Sequence, residues 1–101
     1  MVVRSAKRNQ RRSSNVLVSR AAFRVLAGIT DAELELWERE EFIVPAEESN
    51  RAGELLYDSS ALKRARLIRT LSEELDVNLA GIEVILHLLD QIERSNNRQE
   101  H

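Results

Sequence analysis

The chain has 101 residues, no cysteine, and a net charge of −2 from 15 basic and 17 acidic side chains. One small domain with a modest core is expected, and disulfide frameworks, thiolate metal sites and thiol redox chemistry are excluded. No apolar run approaches about 18 residues and no apolar stretch follows the charged start, so neither a membrane span nor a signal peptide is expected, which suits a cytoplasmic protein.

The small net charge conceals a segregation. Residues 1–24 carry Arg4, Lys7, Arg8, Arg11, Arg12, Arg20 and Arg24 and no acid. Residues 31–48 carry Asp31, Glu33, Glu35, Glu38, Glu40, Glu41, Glu47 and Glu48 against Arg39 alone. Residues 1–15, "MVVRSAKRNQRRSSN", are almost devoid of apolar side chains after the start and read as a disordered basic arm. A folded domain is expected over residues 16–95, with a flexible tail at 96–101.

The first helix follows Ser19, a suitable N-cap, with Ala22, Phe23 and Leu26 at helical spacing and Gly28 placed to end it in a left-handed turn. Thr30 and Glu33 have the spacing of a capping box for a second helix, "DAELELWEREEF", whose buried side is Leu34, Trp37 and Leu36. Pro45 then forbids helix, and "FIVPAEESNRAGELLYD" places apolar runs on both sides of a glycine-containing loop, as a small hairpin does. Asp58 or Ser59 can cap a third helix to about Leu75. Leu62, Ala65, Ile68 and Leu71 would face inward, with Lys63, Arg64, Arg66 and Arg69 forming a mostly solvated face.

The last helix, "LAGIEVILHLLDQIERS", has an apolar arc of roughly 220° at 100° per residue, about twice what one core contact needs. Val84 and Leu88 are the surplus, and self-association as a homodimer is the expected use of them.

Nothing in the chain points to catalysis. There is no phosphate-binding glycine loop, nucleophile elbow or HExxH, and the two histidines are His87 and His101. The carboxylates gather on an exposed helix face instead of converging on a pocket. No enzyme activity, cofactor or metal is expected.

The informative stretch is "GITDAELELWEREEFIVP". With its preceding helix, the Gly28 turn, Leu34, Trp37-Glu38, Phe42-Ile43 and Pro45, then Gly53 and Tyr57, it resembles the winged helix-turn-helix of MerR-type regulators across about residues 16–95. The resemblance implies a mainly α fold of about four helices with a small β-hairpin wing. Such families usually have a basic residue where Glu35 stands, glycine where Glu41 stands, and glycine-aromatic-arginine where Gly53-Glu54-Leu55 stand. Those departures fall on the DNA-contacting positions, and carboxylates reverse the sign of the phosphate contacts on which DNA affinity rests. Asp31, Glu35 and Glu38, at i, i+4 and i+7, would form one exposed acidic stripe opposite Leu34 and Trp37.

A narrower resemblance fits the acidic helix. "TDAELELWEREEFIVPAEE" and "LSEELDVNLAGIEVILHLLDQIE" look like the CbpM-type chaperone modulators, a MerR-like family, across roughly residues 17–93. This implies binding to the J-domain of a DnaJ/CbpA-like co-chaperone and inhibition of its engagement with the partner ATPase chaperone. Asp31, Glu35 and Glu38 would be the partner contacts, opposite charges speeding encounter and setting orientation. The alternative is a MerR-family DNA-binding transcriptional regulator. There Arg4, Lys7, Arg8, Arg11 and Arg12 of the arm, with Arg20 or Arg24, would contact phosphates.

Overall fold

The Ser19 hydroxyl accepts a hydrogen bond from the Ala22 amide at 3.2 Å and starts helix α1, Arg20–Ala27. The computed structural model describes residues 16–46 and 49–99. Helix α1 ends where expected. Gly28 adopts φ 73°, and the amides of Gly28 and Ile29 both return to the Arg24 carbonyl, at 2.8 and 3.1 Å. This closure needs a left-handed residue, which glycine adopts without a Cβ clash.

Helix α2, Asp31–Arg39, opens with the full reciprocal box. The Glu33 amide donates to the Thr30 hydroxyl at 3.1 Å, and the Thr30 amide donates to the Glu33 carboxylate at 2.8 Å. Leu34 and Trp37 are buried and Leu36 is half-buried, so these apolar side chains form the side of the helix that faces the core. At its far end the amides of Phe42 and Ile43 fold back onto the Trp37 carbonyl, which forces Glu41 to φ 63°.

Two short strands, β1 (Val18–Ser19) and β2 (Leu56–Tyr57), pair antiparallel. The expected hairpin is present in a modified form. Its two arms are joined by the Ala46 amide to the Leu56 carbonyl and by a single bridge between Ser49 and Leu55, while the regular pairing of the second arm is with β1. The loop tip is organised by Asn50, whose side-chain oxygen accepts from the amides of Ala52 and Glu54, and by Gly53 at φ 82°.

The chain divides into two compact units within helix α3 (Ser59–Arg69), the first ending at Arg66 and the second beginning at Leu67. In the first, Phe23, Ala27, Ile29, Leu34, Trp37, Phe42, Ile43, Tyr57, Ala61 and Ala65 form the buried apolar set, with Phe23 stacked on Tyr57 at 4.6 Å between ring centroids. Burying a side chain such as Phe23 stabilises by about 1.5–3 kcal/mol. The stacking also sets the rotation of α1: Phe23 and Ala27 point inward, and Leu26, expected in the core, is exposed. Asp58 caps α3 by accepting from the Ala61 amide at 2.9 Å.

The basic face of α3 is more than a solvated surface. Arg66 donates to the Leu26 carbonyl at the end of α1, and Arg64 donates to the Phe42 carbonyl just beyond α2, so two arginines satisfy backbone acceptors that the helix ends leave open.

In the second unit α3 continues as a π-helical turn, Thr70–Glu74, closed by the Leu75 amide on the Thr70 carbonyl. After Asp76, at φ 57°, the Asn78 side chain accepts from the Gly81 amide and begins α4, Leu79–Gln99. Ile68, Leu71, Ile82 and Leu86 are the buried apolar residues of this unit. Val84, Leu88, Leu89 and Ile92 are exposed.

An L residue in the left-handed region costs about 1–2 kcal/mol, and glycine's extra freedom in the unfolded chain offsets about 0.5–1 of that. Glu41→Gly is therefore expected to stabilise the protein by about 0.5–1 kcal/mol, read as a higher urea midpoint at unchanged slope. A lower midpoint would mean that the Glu41 side chain supports the fold.

Candidate functional site

Helix α2 and its exit carry the acids. Asp31, Glu33, Glu35, Glu38, Glu40 and Glu41 lie within eleven positions that contain Arg39 as the sole cation. Glu33 is held in the capping box, and the surroundings of the other five divide them into two groups.

The first group is neutralised internally, by Arg20 at the start of α1. The Arg20 guanidinium donates through Nε to Asp31 Oδ1 at 3.2 Å and through Nη1 to Glu38 Oε1 at 2.9 Å and the Tyr57 hydroxyl at 2.9 Å. Tyr57 in turn donates to Glu38 Oε2 at 2.5 Å. One arginine thereby ties α1, both halves of α2 and β2 together. Glu38 was expected on an exposed stripe, but its side chain is only 23% exposed, against 54% for Asp31. Covering it is favourable because a charged donor and a phenol satisfy both of its oxygens.

Arg24, one turn later on α1, approaches Asp31 at 4.0 Å, and its Nε is buried without a hydrogen-bond partner. An open cleft of about 520 Å³ lies beside these two arginines, with Leu55 and Tyr57 on its wall.

The second group faces solvent. Glu35, Glu40 and Glu41 are exposed and make no ion pair or side-chain hydrogen bond to any other described residue. They are the carboxylates left available to something else.

The electrostatics follow from these contacts. The hydrogen bonds that Arg20 donates to Glu38 and Asp31 raise its pKa still further above its ordinary range, so Arg20 is permanently charged. Tyr57 is pushed up to about 12, first by burial and next by its bond to Glu38, both of which favour the neutral phenol. No group of three or more His, Cys, Asp or Glu among the described residues could hold a metal ion. No helix of the described residues is long and apolar enough to cross a membrane.

A helix, a tight glycine turn and a second helix followed by a wing loop is the layout of a winged helix-turn-helix. A family model described as MerR HTH family regulatory protein matches residues 19–100. The chain belongs to this family. No curated protein matches it. In the MerR HTH frame α2 is the second helix of the motif, the one that in DNA-binding members of the helix-turn-helix class lies in the major groove. Here that helix is acidic, and Arg20 of α1 is bound to two of its carboxylates.

The five arm cations, Arg4, Lys7, Arg8, Arg11 and Arg12, lie outside the described residues. The sequence reading found Asp31 and Glu38 on one face of α2 but missed their common partner. The available signal was an unmatched arginine, Arg20, in the first turn of α1, where a cation is disfavoured by the helix dipole unless carboxylates oppose it.

Tyr57 is the only tyrosine in the chain, so a tyrosinate absorbance titration reports it alone. Its folded-state value lies above the ordinary value of about 10. Its contribution to stability is fully present below pH 10 and is lost as pH rises from about 10 to about 12. The titration is expected to occur near 12, and Glu38→Gln is expected to move it down while burial keeps it above 10. An unshifted titration near 10 in the native protein would contradict the network.

Proposed function

We propose that this MerR HTH family protein is a non-enzymatic chaperone modulator, using α2 to bind the J-domain of a DnaJ/CbpA-like co-chaperone and block its engagement of the partner ATPase chaperone. The observation that carries the reading is the exposed acidic surface of Glu35 on α2 and of Glu40 and Glu41 at its exit, none of them paired with another described residue, on the element that would otherwise meet DNA. A J-domain presents a basic helix to an acidic surface of its ATPase partner, and an acidic helix offers that basic surface a competing ligand. Opposite charges accelerate encounter and orient the pair, while half-buried Leu36 and the exposed apolar atoms of Ala32 provide contact area.

Asp31, Glu35 and Glu38 contribute differently. Glu35 meets the partner directly, Asp31 shares its charge between Arg20 and the partner, and Glu38 holds α2 in position through Arg20 and Tyr57. The DNA-binding reading has less support. Against phosphate, α2 would bring repulsion, and Arg20 would have to leave two carboxylates to make a contact.

A homodimer is part of the proposal. Val84 and Leu88, 57% and 51% exposed on α4, are the residues that a second copy would cover, together with Leu89 and Ile92. The protein would act in the cytoplasm, where J-domain proteins and their ATPase partners meet.

Two measurements test the reading. By isothermal titration with an isolated J-domain, Glu35→Lys is expected to weaken binding at least about tenfold, equivalent to about 1.4 kcal/mol, without altering thermal stability. Unchanged affinity would remove α2 as the interface. By sedimentation equilibrium, Leu88→Glu is expected to convert a dimer into a monomer; a native chain that is already monomeric at high micromolar concentration would remove the dimer from the proposal.

A further inference from the structure

The two guanidiniums of α1 are in different states. Arg20 is saturated, with bonds to Asp31, Glu38 and the Tyr57 hydroxyl. The Arg24 side chain, one turn on, makes no hydrogen bond to any described residue. Its approach to Asp31, at 4.0 Å, is too long for one, and its Nε is covered without a partner. A covered, charged donor with no acceptor costs free energy that an incoming acceptor recovers.

Arg24 also lines the open cleft of about 520 Å³, a volume in the range of small-molecule sites. Its side chain is 35% exposed, so a modest turn about its stem brings Nε–H to an acceptor placed there. The rest of the lining is largely apolar. Ala21 of α1 and Leu55, next to β2, are both exposed, and Tyr57 has its hydroxyl already engaged by Glu38 and Arg20. An open cation therefore stands beside an uncovered apolar wall.

Charge limits what this cleft accepts. Arg20 is offset by Asp31 and Glu38, which leaves Arg24 as the lining cation with charge to spare. Glu54 lines the cleft as well, its carboxylate fixed by the Asn50 side chain at 3.0 Å, and it would repel a chain of phosphates. One negative charge on a planar group suits the guanidinium fork, and the apolar wall asks for a hydrocarbon body.

We propose that this cleft binds a small apolar monocarboxylate, its carboxylate on the Arg24 guanidinium and its hydrocarbon body along Ala21 and Leu55. Asp31 is then a competitor for Arg24, since the ligand takes over the cation that Asp31 holds only at 4.0 Å. The site uses none of Glu35, Glu40 and Glu41, so it is independent of the J-domain reading.

The test is a nitrogen–proton correlation spectrum of the full chain, covering backbone amides and arginine Nε–H, titrated with sodium phenylacetate at fixed pH and ionic strength. Saturable shifts are expected at Arg24 Nε–H and at the amides of Ala21 and Leu55. Phenylacetamide lacks the charge, acetate lacks the apolar body, and inorganic phosphate lacks the body and carries more charge; each is expected to bind at least about tenfold more weakly than phenylacetate. Arg24→Gln should abolish saturation, and Asp31→Asn should tighten binding severalfold by removing the competing carboxylate. Leu55→Glu, at an exposed position, should also weaken binding, which keeps the test decisive if Arg24→Gln does not fold. Shifts that do not saturate, shifts confined to α4, phosphate or phenylacetamide binding as tightly as phenylacetate, unchanged affinity in folded Arg24→Gln or in Leu55→Glu, or weaker binding by Asp31→Asn overturns the proposal.

Discussion

The fold of the first unit depends on where one guanidinium goes. Arg20 stands in the first turn of α1, where the dipole disfavours a cation, and it is held there by Asp31, Glu38 and Tyr57. These partners lie 11, 18 and 37 residues away, so the contact brings α1, α2 and β2 to a single point. Phe23 lies one turn further along α1 and stacks on the same Tyr57, so the polar network and the apolar core share a side chain. Removing Arg20 would leave Glu38 largely covered without its charged donor, a more serious loss than that of an exposed surface pair.

This contact also determines the character of the surface. The acids on the inner edge of α2 are consumed by Arg20, and those on the outer edge are left without partners among the described residues. The second helix of this MerR-family helix-turn-helix thus presents an acidic surface, which repels phosphate. Fold does not fix function here: under the proposed function the same backbone frame would serve protein binding through the charges that its second helix displays. The left-handed Glu41 fits this view, since a carboxylate stands at a position that backbone geometry would assign to glycine.

What could be read from the sequence was whatever is encoded within about four residues. The Ser19 cap, the Gly28 turn, the Thr30–Glu33 box and the Asp58 cap are hydrogen bonds between near neighbours, and each appears where the residues imply it. The MerR-type layout came from a resemblance, carried by the Gly28 turn, Leu34, Trp37-Glu38, Phe42-Ile43, Pro45, Gly53 and Tyr57. The exposed apolar arc of α4, read from periodicity alone, appears as exposed Val84, Leu88 and Ile92. Long-range pairings were not legible. Nothing local indicates that β2 pairs with β1 through most of its length, that Arg64 and Arg66 reach carbonyls 22 and 40 residues away, or that stacking on Tyr57 rotates α1 until Leu26 is exposed. The acidic stripe was visible as a pattern, yet its division into committed and available carboxylates required knowing where Arg20 points.

The central claim is that the outer face of α2 is a protein-binding surface for a basic partner. Hydrogen–deuterium exchange on the full chain, with and without a saturating isolated J-domain, tests it most directly because it needs no substitution. Added protection confined to the amides of residues 31–41 is the predicted result. Protection elsewhere, along α4 or at the loop tip around Asn50, or no change at a concentration where binding is independently complete, would contradict the account.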